Sequence, residues 1–266
     1  MPYYSIMDVL FHFKKIFNNN KKIRYIELIP WVHSDIYKLN ESIEKYILKL
    51  PTNSIIAIEI SKEPLDKFVS NFDRNLLNLN FADFIKIFNK SYKSKDEDYY
   101  SDRAFYRIVL ACLRSNHKII PIEDYQTYLE ISTKLIGIDE LKDPIKSQLI
   151  MLEMNPKREN KMAKNIYYCL NDNSKVYVIT GVAHIKPIKY NLININKSNF
   201  LCNYKINYNL FKSDKHIIKK KVNLEYKLRK SLKINITKFY KKTRKLNLQL
   251  SKCDDYYKFD ADFYNK

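Results

Sequence analysis

Lys175-Val-Tyr-Val-Ile-Thr-Gly-Val-Ala-His184 is the stretch whose reading decides the fold. Val176, Tyr177, Val178 and Ile179 make a short apolar run of β-branched and aromatic residues, the pattern of a strand covered on both faces. Gly181 is one of only two glycines in the 266 residues. At the end of such a strand a glycine permits a sharp turn or a close backbone approach. His184 then falls in the crevice beyond the strand end, where open α/β sheets place their ligands. Ile185 to Leu192 reads as a short helix with Pro187 near its start.

A second stretch repeats the arrangement. Ile23-Arg-Tyr-Ile-Glu-Leu-Ile29 is strand-like and leads through Pro30, Trp31 and Val32 to His33. Ile36, Leu39, Ile43, Ile47 and Leu50 follow at helical spacing, with Ser34 or Asp35 as a cap. Ser54-Ile-Ile-Ala-Ile-Glu-Ile60 is then a buried strand, so strand, helix and strand form a βαβ unit. Glu59 stands at its end, and a carboxylate in so apolar a run is expensive unless it is paired or ligates something. Lys118-Ile-Ile-Pro-Ile122 is a further short strand delivering Glu123 and Asp124 to its end. The expected fold is α/β, with a mixed, largely parallel sheet flanked by helices and built from two related halves.

Helical patterns cover residues 5–17, 64–89, 104–113, 125–135, 140–153 and 157–170. The last is expected to begin after Pro156, with Arg158 in its first turn. Residues 192–211 read as terminal strands. From about residue 214 the character changes. Neither Gly nor Pro occurs beyond Ser213, and Leu224, Leu228, Leu232, Ile236 and Tyr240 recur every four residues. The expected organisation is an α/β domain over 1–212 and a basic amphipathic helical segment over 213–266.

The net charge is +19 and is unevenly placed. Residues 205–252 hold sixteen Lys or Arg against Asp214 and Glu225, a local balance of +14. Such a segment suits an anionic membrane surface or nucleic acid, although no nucleic-acid fold signature accompanies it. Cys112, Cys169, Cys202 and Cys253 are scattered and form no C-x-x-C pair, which fits free thiols in a reducing compartment. No signal peptide is evident, because Asp8, His12, Lys14 and Lys15 interrupt the first apolar stretch. No apolar run approaches the roughly 18–20 residues of a membrane span. The expectation is a soluble cytoplasmic protein.

Four motifs, in order over residues 23–200, resemble the TraB/PrgY/GumN-type family, which is similar to TIKI-type metalloproteases, erythromycin esterases and ChaN-like proteins. A strand followed by G-T-x-H is matched by Ile26-Glu-Leu-Ile-Pro-Trp-Val-His33. A strand ending in Glu is matched by Thr52-Asn-Ser-Ile-Ile-Ala-Ile-Glu59. R-[DN]-x-x-M-A-x-x-I is matched by Arg158-Glu-Asn-Lys-Met-Ala-Lys-Asn-Ile166, and a strand with G-x-x-H by Val176 to His184. The chain departs from the pattern at Pro30 and Trp31, in place of Gly-Thr, and at Glu159, in place of Asp or Asn.

The resemblance implies a hydrolase acting on a peptide or small ester. Its TIKI-type branch implies a divalent metal (Mn, Co or Zn) held by His33, Glu59 and His184, since imidazoles and a carboxylate suit such ions and leave positions open for water. Its esterase branch implies a histidine that activates water as a general base without metal. Arg158 could bind a substrate carboxylate or stabilise an oxyanion, or Glu59 could pair with it. Two other classes stay open: a non-catalytic regulatory or peptide-sequestering protein, and a binder of anionic surfaces through residues 214–252.

Overall fold

The computed structural model describes residues 23–32, 37–70, 97–138, 144–196 and 202–230, together with Lys242, Lys245, Leu246 and Gln249. Five strands are described: β1 (Arg24–Trp31), β2 (Ile55–Ile58), β3 (Lys118–Pro121), β4 (Lys175–Gly181) and β5 (Cys202–Ile206). They form one sheet in the order β3-β2-β4-β1-β5, and every pairing is parallel. The expected antiparallel admixture is therefore not found among the described strands. Each connection between them carries at least one helix or a long crossover, which a parallel pairing demands.

The helices are α1 (Tyr37–Ile47), α2 (Lys62–Ser70), α3 (Glu97–Arg114), α4 (Tyr125–Leu135), α5 (Pro144–Asp172), α6 (Ile185–Asn196) and α7 (Lys215–Lys230), with a 3-10 turn at Asn209–Asp214. α1 packs against α3, and α5 packs against α6. The first pair belongs to connections running from β1 towards β3. The second belongs to connections running back towards β5. Right-handed crossovers in opposite directions put the two pairs on opposite faces of the sheet. Covered on both sides, β2 is buried throughout and β4 from Val176 onward, as their unbroken apolar runs require.

Helical spacing explains each covering face. Leu39, Ile43 and Ile47 of α1, Ile108, Ala111 and Cys112 of α3, and Ile185, Ile188 and Leu192 of α6 are all buried. α5 continues through Pro156 instead of starting after it. An interior proline costs about 3 kcal/mol. The buried stripe Met162, Ala163, Ile166 and Leu170 offsets that cost by holding the helix on the sheet. Arg158 thus lies mid-helix, not in a first turn. Pro187 sits in the opening turn of α6, where a proline removes no helical hydrogen bond. The segment expected as terminal strands divides into the end of α6, the strand β5 and the 3-10 turn.

Pro30 lies within β1 without breaking a ladder. Trp31 O accepts from Val182 N on the β4 side, while Leu28 O accepts from Asn207 N on the β5 side. The alternation points the Pro30 nitrogen to the β5 side, where β5 has already ended opposite Leu28. The Trp31 indole packs in the core, donating to Asn40 Oδ1 at 3.2 Å and lying 6.5 Å from the Phe105 ring. α7 packs on α6, and its Ile218 and Val222 join the same core. The helix expected over 5–17, the continuation of the 64–89 pattern beyond Ser70, and the basic segment beyond Lys230 lie outside the described residues, the four isolated positions excepted. Cys112, Cys169 and Cys202 are free thiols. No described helix is long and apolar enough to cross a membrane.

Candidate functional site

The sheet changes direction between β2 and β4. The chain leaves β2 towards β3 on one side and leaves β4 towards β5 on the other. The carboxyl ends of two such strands leave a crevice between their diverging connections. Glu59 follows β2 directly. Its main chain is fixed by Glu59 N donating to Ile179 O at 3.0 Å. Its side chain reaches across to β4, where Oε2 accepts from Thr180 Oγ1 and from Gly181 N, both at 2.6 Å. Gly181 thus supplies a backbone donor to the carboxylate at the end of β4. Gly181 has no left-handed backbone, since the positive-φ glycine is Gly137.

His184 is held just past the same strand. Its N–H donates to Gly181 O at 2.9 Å, closing a turn, and its carbonyl accepts from Ile188 N as α6 begins. The imidazole is buried, with Nδ1 2.7 Å from Glu159 Oε1. A carboxylate only accepts, so Nδ1 carries the proton and Nε2 carries the lone pair. Nε2 lies 3.2 Å from Arg158 Nη1, which donates to it, and 3.4 Å from Glu59 Oε1.

Arg158 joins the group from α5. Its Nη2 donates to Glu59 Oε1 at 2.8 Å and its Nε to Glu123 Oε1 at 2.5 Å. Its side chain is 11% exposed and that of Glu59 is fully buried. Burial works against the guanidinium's charge, but Glu59 and Glu123 outweigh it and hold its pKa above the ordinary value. Burial pushes the His184 pKa below its usual value. Glu59 opposes that shift, and the Arg158 charge adds to it. His184 is consequently a neutral base at pH 7. Glu225 of α7 acts on the same imidazole by its charge, in the same direction as Glu59.

Three of the four expected catalytic residues, Glu59, Arg158 and His184, meet in one cluster. His33 lies outside the described residues. β1 and β4 are nevertheless parallel neighbours, with Trp31 opposite Gly181, so the chain leaves both strands at the same end of the sheet. Of the two carboxylates at the end of β3, Glu123 enters the cluster. Asp124 instead caps α4, accepting from Thr127 N at 2.9 Å, and pairs with Lys161 at 2.6 Å. His117 is structural, its Nε2 3.0 Å from Ile47 O.

Glu159 was visible in the sequence only as a departure from a motif. Its signal was periodicity: it precedes Met162, Ala163, Ile166 and Leu170 on the buried stripe of α5. A carboxylate on such a stripe needs a partner, and His184 is that partner.

Among the described residues, no three His, Cys, Asp or Glu side chains are grouped so as to hold a metal ion. Glu59 Oε1, Glu123 Oε1 and His184 Nε2 do converge, but on the Arg158 guanidinium. A divalent cation drawing on these donors would have to displace a cation already there. The described donor set as it stands therefore does not fit a metal. No family model, no curated protein and no solved structure matches the chain.

Proposed function

We propose that this chain is a TraB-like hydrolase acting on peptide or ester bonds, with Glu159 and His184 as its acid–base pair. One observation carries the reading. Glu159 fixes the imidazole through Nδ1 and aims the Nε2 lone pair at a cationic hydrogen-bond donor at the switch point of a parallel sheet. This is how a carboxylate-oriented histidine is prepared to remove a proton. A substrate carbonyl taking the Arg158 Nη1 donor frees Nε2 for a water molecule. Nε2 then accepts the water proton as the hydroxide oxygen bonds to the carbonyl carbon. Arg158 stabilises the oxyanion, and His184 returns the proton to the departing alkoxide or amine. Glu59 and Glu123 keep the guanidinium aimed. No step is routed through a metal. A relation between two halves of the sheet belongs to the same proposal, supported by the adjacent, co-directional β1 and β4.

The test is hydrolysis of a chromogenic ester and a quenched fluorescent peptide by the full chain, beside Glu159→Gln and His184→Gln. The reading expects turnover that falls about 100- to 10,000-fold in either variant while circular dichroism is unchanged. Turnover equal in all three proteins rejects it. Metal content of the wild type and of His33→Ala/His184→Ala decides the metal branch. A stoichiometric Mn, Co or Zn lost in the double variant would replace the metal-free route.

A second reading is favoured by the full occupation of the guanidinium. Every Arg158 nitrogen has a protein partner, and its partners Glu59 and His184 are buried, which suits a non-catalytic, regulatory or peptide-sequestering relative. Absence of turnover on both substrates, with partner binding retained in His184→Gln, would select it.

A further inference from the structure

Several lysines in the body of the protein are paired with carboxylates. Lys45, Lys134, Lys157, Lys161 and Lys175 each sit within 4 Å of a carboxylate. The C-terminal segment is different. Lys219, Lys220 and Lys227 of α7, with Lys242 and Lys245 further along the chain, line one groove of about 720 Å³. All five are exposed, and none makes an ion pair with a described residue. No acidic residue is among the described residues that line the groove. The segment's acid within α7, Glu225, is turned to the core side with Lys221 and His184. Leu224 and Leu246 contribute apolar wall, and Leu246 is buried.

Five like charges converging on one concavity repel one another unless an anion lies between them. A flat membrane is a poor match. A helix that binds a bilayer lays an apolar face into it, whereas the Ile218 and Val222 face of α7 is used on the core. The lysines also point into a concave space. A groove of this volume is comparable to a small-molecule pocket, too small to enclose a duplex but open to a chain of phosphodiesters. The described lining offers one imidazole, His216, but no Phe, Tyr or Trp ring for base stacking, and no carboxylate or amide set for reading bases beyond Asn223 and Gln249. We infer that this groove binds the phosphate backbone of single-stranded nucleic acid without sequence preference. The inference stands apart from the hydrolase reading and uses none of its residues.

The experiment is fluorescence anisotropy of the full chain with a labelled mixed-sequence single strand of about 16 nucleotides, the upper end of known single-strand site sizes. A duplex of the same sequence and phosphatidylserine vesicles are the other two probes. Neutralising five phosphates predicts a log–log salt slope of about −3.5, so a fourfold rise in salt weakens binding roughly 100-fold. Lys219→Glu/Lys227→Glu/Lys245→Glu is expected to bind at least about tenfold more weakly, with a slope shallower by about 2. These side chains are exposed, so the thermal midpoint serves as the check on folding, and the corresponding triple Gln variant should fall between wild type and Glu. Several results overturn the inference: no strand binding at low salt, equal affinity in the Glu variant, tighter binding of the duplex, or vesicle binding that depends on these lysines while the strand is ignored.

Discussion

Glu27 and Glu59 are two buried carboxylates on neighbouring parts of one sheet, and they are satisfied in opposite ways. Glu27 lies in the interior of β1. Its Oε1 accepts from the Tyr46 hydroxyl at 2.6 Å and from Asn207 Nδ2 at 2.5 Å. The nearest cation, Lys175, is at 3.9 Å. Glu59 stands beyond the end of β2 and meets a guanidinium, an imidazole, a hydroxyl and a backbone N–H. Burial is the same and partner chemistry differs. Neutral donors inside the sheet make a structural tie. Titratable partners at the strand ends make a place where a proton can move.

That contrast can be broken first at Arg158. Arg158→Met leaves Glu59, Glu123 and His184 facing one another without their cation. Removing one partner of a buried ion pair costs about 3–5 kcal/mol, and urea unfolding should show a loss of that size. Next is the Glu27 cluster. Tyr46→Phe removes one hydrogen bond to a charged group, worth about 1.5–3 kcal/mol, and should leave any hydrolytic turnover unchanged. An equal fall in turnover would erase the distinction between the two carboxylates.

The third test is pH. The folded pKa of His184 is depressed by burial, against the attraction of Glu59. Below the ordinary value of 6.5 the unfolded chain binds a proton that the folded chain refuses. Its contribution is fully present above pH 6.5 and is lost as pH falls from there towards the lowered folded pKa. Stability should therefore drop by up to about 1.4 kcal/mol per pH unit in that window, and His184→Gln should flatten the slope. The smallest effect is expected at Lys175, which is partly exposed. Lys175→Ala loses a long ion pair to Glu27 and a cation–π contact 4.4 Å from the Tyr177 ring. Its stability should change by no more than about 1 kcal/mol.

The difference between the two clusters also explains what could be read from the chain. Glu59, Glu123 and His184 each follow an apolar strand run, so strand-end position alone marked them. The parallel sheet was legible in the unbroken apolar runs of β2 and β4. Glu27 gave no such signal, because its partners Tyr46 and Asn207 lie 19 and 180 residues away and only the folded sheet joins them. Glu159 is legible in periodicity, as a carboxylate on the buried stripe of α5, but its partner His184 is joined to it only by the fold. On local grounds Pro156 predicts a helix boundary. Burial of the stripe from Met162 to Leu170 overrode the proline, and this moved Arg158 from a helix start to a helix middle.

The central claim is that Glu159 holds His184 as a neutral base with its lone pair on Nε2. The direct measurement is a long-range proton–nitrogen NMR spectrum of the histidine rings at pH 7, with His184 assigned by its loss in His184→Gln. The account predicts a neutral ring protonated on Nδ1 that changes tautomer or charge in Glu159→Gln. A ring protonated on Nε2, or an imidazolium at pH 7, would contradict it.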